Sequence, residues 1–186
     1  MVWDVSAAAP NTVVRAWLEP KSMRAPVTLP ITGAQRTELA LGRLTGDGLE
    51  PLPERALKVL GLSREALLEA ARANSTADLA ELKPRYVRDR HNVIQYAELA
   101  SDRPLVASAV LAPGFLPLFK DTLGDSVLVV VPSRYAAYVF PKLASSYRDY
   151  YPMVFEAYRA TAFPVSVEVF EFSAGSIQAV GVFEEP

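Results

Sequence analysis

The chain has 186 residues, of which 51% are hydrophobic and 22% charged, so it can bury the core of one domain and is not a disordered protein. Its 19 basic and 21 acidic residues give a formal charge of −2, which argues against a general nucleic-acid binder because such proteins carry a net positive field. The lack of cysteine excludes disulfides, thiolate nucleophiles and Cys-ligated zinc. A fold without disulfides suits a reducing compartment, and we expect the protein to be cytoplasmic.

The first 31 residues are predicted as an extended N-terminal segment, 1–31. It contains four prolines, each of which removes a backbone donor and biases the preceding residue towards extended geometry. Between the first two prolines, the run 12–18 predicts a strand. No signal peptide is expected, because Asp4 comes early and no basic stretch precedes an apolar run.

Residues 32–91 are predicted as an annex of short helices. A capping box that starts at Thr32 predicts a helix over 32–44. Pro53 suits the first turn of a second short helix, and Ser63 suits the N-cap of a third. The annex is therefore expected to precede the main sheet.

Residues 92–186 are predicted to alternate hairpins with helices. The unbroken apolar run 127–131 is typical of a central strand that is covered on both faces. The predicted strands are 93–99, 105–111, 127–131, 135–140, 165–172 and 177–183, and the predicted helices are 115–123 and 142–160. The fold class that follows is α+β, with a mostly antiparallel sheet built from hairpins and helices on one face. All three segments are expected to form one compact domain.

Several motifs of the chain belong together: Ala107-Ser108, the run 124–134 that opens Gly-Asp and ends Pro-Ser-Arg, Phe163-Pro164, the turn at Gly175 and the helix opening 62–68. They resemble the corresponding motifs of the YtpQ-like family of uncharacterised bacterial proteins. The resemblance implies an α+β fold and supplies no active site, because that family has no assigned function. Tyr135 departs from the family pattern, which usually has an aspartate after the arginine.

The most polar stretch is 83–91, which contains four basic side chains, one tyrosine and the single histidine. These side chains can bind a phosphate or stack a nucleic-acid base beside an arginine. The alternative is a solvated connector whose arginines pair with nearby acids. The lone histidine does not predict a metal or catalytic site, because a zinc site needs further His or Cys ligands. The candidate ligand-binding residues are Arg85, Arg88, Arg90 and His91.

Five other residues are candidate interface positions. Ser133 and Arg134 lie at a predicted hairpin tip, where an exposed polar pair can contact a partner. An ordinary turn serine is the alternative for Ser133, because no glycines of a nucleophile elbow surround it. Tyr147, Tyr150 and Tyr151 lie on a predicted helix whose aromatic residues occupy more than one face, so an exposed aromatic face that contacts a partner is one hypothesis. Packing of these tyrosines in the core is the alternative.

The function predicted from these features is a non-enzymatic interaction or regulatory domain, with a protein partner or a second copy of the chain as its ligand. The rival is a phospho-ligand or small-molecule binder, or an enzyme that acts on such a ligand, that uses the basic stretch 83–91. Nucleic-acid binding is the third hypothesis. No catalytic residue, metal site or cofactor is predicted. No membrane partner is expected, because the longest apolar stretch, 105–119, is interrupted by prolines and too short to span a bilayer.

Overall fold

The computed structural model describes residues 13–45, 48–143 and 145–183. Within these ranges the chain forms two antiparallel sheets and five α-helices, which confirms the predicted α+β class. No helix in the described part of the chain is long and apolar enough to cross a membrane.

The first sheet is built around one long strand. Its strands are β1 (Val14–Pro20), β2 (Thr28–Pro30), β3 (Thr37–Thr45) and β4 (Gly48–Pro51). β1 pairs along one side of β3, and β2 and β4 pair along the other side. β1 is buried along almost its whole length, so the polar residues Arg15 and Glu19 lie inside the molecule and need partners there.

The second sheet has six strands in the order β10–β9–β7–β8–β6–β5. Their bounds are β5 (Arg85–Arg88), β6 (Ile94–Ala100), β7 (Val127–Ser133), β8 (Ala136–Pro141), β9 (Glu168–Ser173) and β10 (Ser176–Val182). The predicted hairpins over 127–140 and 165–183 are therefore confirmed as β7–β8 and β9–β10. Gly175 turns the second hairpin with a φ of 78°, a conformation that favours glycine.

Within the described residues, five α-helices cover these sheets. They are α1 (Glu54–Leu60), α2 (Arg64–Ala80), α3 (Val106–Ala109), α4 (Phe115–Leu123) and α5 (Tyr151–Arg159), with 3-10 turns at Lys21–Met23 and Ser145–Tyr150. The predicted cap of α2 is confirmed, because Ser63 Oγ accepts a hydrogen bond from the backbone N–H of Ala66 at 3.1 Å. The predicted helix 115–123 is confirmed as α4.

The central strand β7 is covered on both faces, as its apolar run predicted. Val127, Val129 and Val131 belong to the main core, which also contains residues of the first sheet, α2, α3 and α4. Leu128 and Val130 alternate with them and belong to a second core, which α5 covers. Helices thus lie on both faces of this sheet, whereas the sequence predicted one sheet with helices on one face.

The helix predicted over 32–44 is wrong, because residues 37–45 form β3. Seven residues of this segment pair with β1, from Pro20 opposite Thr37 to Val14 opposite Arg43. A capping box is a local signal, and here the pairing with a buried strand overrides it. The predicted annex 32–91 therefore contains strands β3, β4 and β5 as well as helices α1 and α2.

The strand predicted over 105–111 is also wrong, because its centre forms the short helix α3. All residues from Leu105 to Leu111 are buried, and a continuous apolar run does not distinguish a buried strand from a buried helix. The backbone hydrogen bonds are helical: the N–H of Ala109 donates to the carbonyl of Leu105, four residues earlier, at 2.8 Å. α3 consequently packs beneath β7 and β8 instead of extending the sheet.

Polar contacts join the two sheets. Glu168 at the start of β9 is buried and accepts hydrogen bonds from the backbone N–H groups of Gln35 and Arg36 and from Thr37 Oγ1, at 2.7, 3.2 and 2.6 Å. The carboxylate of Glu168 therefore provides hydrogen-bond acceptors for the backbone N–H groups of the loop that leads into β3. An ion pair between Glu19 and Arg134 is a second polar contact between the two sheets.

Candidate functional site

The structure places the basic stretch in the exposed hairpin β5–β6, at an edge of the second sheet. Arg85 forms an ion pair with Glu98 on the neighbouring strand. Arg88 Nη1 donates to the carbonyl of Asn92, and Arg90 Nε donates to His91 Nε2 at 3.0 Å. These side chains line none of the three cavities described below, so their role in ligand binding stays a prediction.

The three predicted interface tyrosines lie beside the second core. Tyr150 packs against Tyr96 with ring centroids 4.9 Å apart, and Tyr147 packs against Phe183 at 5.8 Å. Tyr151 is half-buried and stacks on Phe155 of the same helix, at 5.0 Å. All three side chains therefore contribute to packing under and along α5, and Tyr151 also borders a shallow cavity of about 400 Å³ with Arg148.

The predicted exposure of Ser133 and Arg134 is wrong. Ser133 is 3% exposed and Arg134 is 8% exposed, although both lie at the turn between β7 and β8. The turn is covered because the loop after α5 pairs with it: Ser133 bridges to Pro164, and the N–H of Arg134 donates to the carbonyl of Phe163 at 3.3 Å. On the opposite side, the carbonyl of Arg134 accepts from the N–H of Val106 at 3.0 Å.

Arg134 forms an ion pair with Glu19 of the first sheet. Its Nη2 group donates to both carboxylate oxygens, at 2.7 and 3.0 Å. Trp17 Nε1 donates to the same carboxylate at 2.7 Å. Glu19 is 1% exposed and Trp17 is fully buried, so the carboxylate is desolvated and depends on these donors.

The guanidinium of Arg134 is also held by two aromatic rings. Its carbon Cζ lies 5.2 Å from the centroid of Phe163 and 5.9 Å from that of Trp17, which is cation–π distance. Among the described residues, no protein atom accepts a hydrogen bond from Nε or Nη1 of Arg134. The Arg134 side chain is 10% exposed, and the residue lines a cleft between the two sheets.

This cleft has a volume of about 540 Å³. One wall is the end of β3 at Thr45 and the loop 102–104, and the other is Arg134, Tyr135 and Phe163. Phe163 is 41% exposed and its ring lies 6.3 Å from that of Tyr135, so the two rings form an aromatic wall. A volume of this size is in the range of small-ligand sites.

The charges around the cleft are nearly balanced. Glu19 neutralises Arg134, and Glu81 pairs with Arg103 through a 2.6 Å contact to Nη1. Asp102 adds an exposed carboxylate to the wall. The cleft therefore offers fixed N–H donors beside aromatic rings, without a surplus of positive charge.

Sequence reasoning selected Arg134 and missed Glu19, Trp17 and Phe163. Alternation along a strand places Trp17 and Glu19 on one face of β1, which is a usable signal for their contact. Nothing in the sequence connects Glu19 with Arg134, because 115 positions separate them and only the packing of the two sheets brings them together.

The described residues contain no group of three or more His, Cys, Asp or Glu side chains that could hold a metal ion. The chain matches no known family model, no curated protein and no solved structure. The resemblance to the YtpQ-like family therefore stays a prediction, and the candidate site rests on its geometry.

Proposed function

We propose that the chain is a non-enzymatic interaction domain that binds a segment of a protein partner in the cleft at Arg134. The segment carries a carboxylate beside an aromatic or apolar side chain. The observation that supports this proposal is a largely buried arginine that lines a cleft next to an exposed aromatic wall.

The arginine explains the preference for a carboxylate or a carbonyl oxygen. A guanidinium has donors only, and those not used by Glu19 gain from an acceptor in the cleft. Arg134 is held by its own backbone hydrogen bonds and by two rings, so little side-chain entropy is lost when a ligand binds. A pre-ordered donor of this kind favours a specific contact.

The neighbouring acids disfavour a phosphate. Glu19 already offsets the charge of Arg134, and Asp102 lies on the cleft wall. A dianion would be repelled by these carboxylates, whereas a monoanionic carboxylate needs less compensating charge. The aromatic wall of Phe163 and Tyr135 then accounts for an apolar neighbour of the carboxylate, since aromatic rings bury large areas at interfaces.

A titration by nuclear magnetic resonance tests the proposal. The probes are N-acetyl-phenylalanine and its amide, N-acetyl-phenylalaninamide. The chain has two tryptophans, and the indole N–H of Trp17 reports directly on the Glu19–Arg134 pair. We expect the acid to shift this signal and the backbone signals of Tyr135 and Phe163, with a dissociation constant of about 1 mM, as usual for a fragment of this size. The amide should bind several-fold more weakly.

A pair of variants makes the test specific. Phe163→Ala removes the aromatic wall and should abolish the shifts, whereas Leu118→Ala should not, although Leu118 on α4 is equally exposed at 40%. An acid that binds no better than the amide, or that leaves the Trp17 signal unmoved, would refute the proposal. Shifts caused by inorganic phosphate and confined to 85–91 would support the rival phospho-ligand hypothesis.

A further inference from the structure

A second groove, independent of the proposed function, lies where α4 meets the tip of the β9–β10 hairpin. Its volume is about 420 Å³. Its floor is apolar and consists of Leu111, Phe115 and Phe172, all of them buried. The two rings lie 5.2 Å apart and pack into the main core, so the floor is rigid. Half-buried Leu116 and Ile177 form its walls.

Two cations lie at the rim of this groove. Arg72 is held there because its Nε donates to the carbonyl of Leu111 at 3.1 Å. Its ion pair with Glu69 is long, at 3.5 Å, and the partner is 74% exposed. Lys120 contacts Asp125 at 3.3 Å in a pair that is also solvent-exposed. Both pairs are exposed and therefore weak, and Glu69 does not line the groove, so both cations are available to an anion that binds there.

The polar groups of the groove do not suit a peptide. Ser173 and Ser176, which line the hairpin side, hydrogen-bond to each other at 2.7 Å. An extended peptide on the apolar floor would leave backbone N–H and carbonyl groups without partners, which is costly. An alkyl chain has no such groups.

We propose that this groove binds an aliphatic carboxylate of the fatty-acid class. The alkyl chain lies on the floor formed by Phe115 and Phe172, and the carboxylate lies at the rim that carries Arg72 and Lys120. The binding is noncovalent, and its specificity comes from an apolar body combined with one negative end. Affinity should rise roughly fourfold for each methylene that the floor covers.

Isoleucine methyl signals provide the test. The chain has three isoleucines, Ile31, Ile94 and Ile177, and only Ile177 lines the groove among the residues described. With isoleucine methyl labelling, decanoate below its micelle concentration should shift the Ile177 signal and leave the other two in place. Octanoate should bind more weakly, and decyltrimethylammonium, which has the same chain and the opposite charge, should bind weakest.

Charge reversal at the rim provides the matched control. Lys120→Glu should weaken decanoate binding about tenfold, as expected when an attractive contact becomes repulsive. Lys58→Glu on α1 changes the net charge equally and should have no effect, because Lys58 is exposed and does not line the groove. The proposal is overturned if all three isoleucine signals move together, if the cationic probe binds as well as decanoate, or if both variants behave alike. The Trp17 indole signal is a separate readout, so this test and that of the Arg134 cleft fail independently.

Discussion

Arg15 on β1 and Asp78 on α2 form an ion pair inside the main core, with Arg15 Nε 2.6 Å from Asp78 Oδ2. Arg15 Nη2 donates to the other carboxylate oxygen at 3.1 Å, and Ser108 of α3 also donates to Asp78. Only 11% of the Arg15 side chain and 4% of the Asp78 side chain are exposed. This network therefore connects the first sheet with two helices through groups that cannot be hydrated when a partner is lost.

Removal of Asp78 should destabilise the protein strongly. Asp78→Ala leaves the Arg15 guanidinium buried without a counter-charge, and the free energy of unfolding should fall by about 3–5 kcal/mol. Urea denaturation followed by circular dichroism measures this loss. Asp121→Ala, at an exposed position on α4, is the control and should change stability by less than about 0.5 kcal/mol. A loss below about 1 kcal/mol for Asp78→Ala would contradict the assigned role of the pair.

Neutralisation of Glu19 should have opposite effects on stability and on binding. Glu19→Gln weakens the contact to Arg134 and should lower the free energy of unfolding by about 2–3 kcal/mol. The same change removes the negative charge beside Arg134, so N-acetyl-phenylalanine should bind about tenfold more tightly. Isothermal titration calorimetry measures the affinity, with Glu69→Gln as the exposed control. Weaker binding by a folded Glu19→Gln variant would count against the Arg134 cleft.

Gly42 on β3 should not tolerate a side chain. A Cβ at this position would lie 2.1 Å from the carbonyl oxygen of Glu50 and 2.6 Å from the ring of buried Trp17. Gly42→Ala should therefore cost about 3 kcal/mol or more, since a well-packed core cannot absorb the overlap. Gly181→Ala in β10 is the control, because its Cβ would make only an ordinary 3.7 Å contact with Tyr147. Equal melting temperatures of the two variants would show that β3 and β4 separate easily.

Ionisation of Tyr138 should lower the free energy of unfolding at alkaline pH. Burial, and secondarily the charge of Glu98, raises the pKa of Tyr138 to about 12. The ordinary tyrosine pKa is about 10, so the folded state favours the neutral phenol. The resulting stabilisation is complete below about pH 10 and is lost as the pH rises towards 12.

The measurement compares the wild type with Tyr138→Phe, which cannot ionise at this position. Between about pH 9 and pH 11, the wild type should lose more stability in urea than the variant. Ultraviolet absorbance of the phenolate should show one late-titrating tyrosine fewer in the variant than in the wild type, because burial raises the pKa of Tyr96 as well as that of Tyr138. Parallel loss of stability in both proteins would assign the alkaline transition to other groups.

Local sequence signals predicted the structure correctly where an element is stabilised by residues that are close to one another in the sequence. The cap at Ser63, the helix 115–123 and the hairpin at Gly175 were predicted because a capping hydroxyl, an apolar face and a turn glycine each act within a few residues. Local signals failed at 37–45, where pairing with a buried strand overrides a capping box, and at 105–111, where complete burial hides the period that distinguishes strand from helix.

Only one residue of the candidate site, Arg134, was predicted from the sequence. Arg134 was selected for its place at a hairpin turn, and the structure shows it buried instead of exposed. Its partners Glu19 and Phe163 come from the first sheet and from a loop after α5. A contact between such distant positions depends on how two sheets pack, and single-sequence patterns carry no information about that packing.

The sequence by itself determined the class of the fold, the central place of the run 127–131 and the exclusion of cysteine chemistry. These follow from composition and from short-range periodicity, which act whatever the global arrangement is. Only the tertiary structure decided that there are two sheets, that Glu19 and Arg134 meet at their junction, and that an apolar groove forms beside Arg72. The reason is physical: a buried charge is stable only beside its partner, and that partner is chosen by the packing of the whole chain.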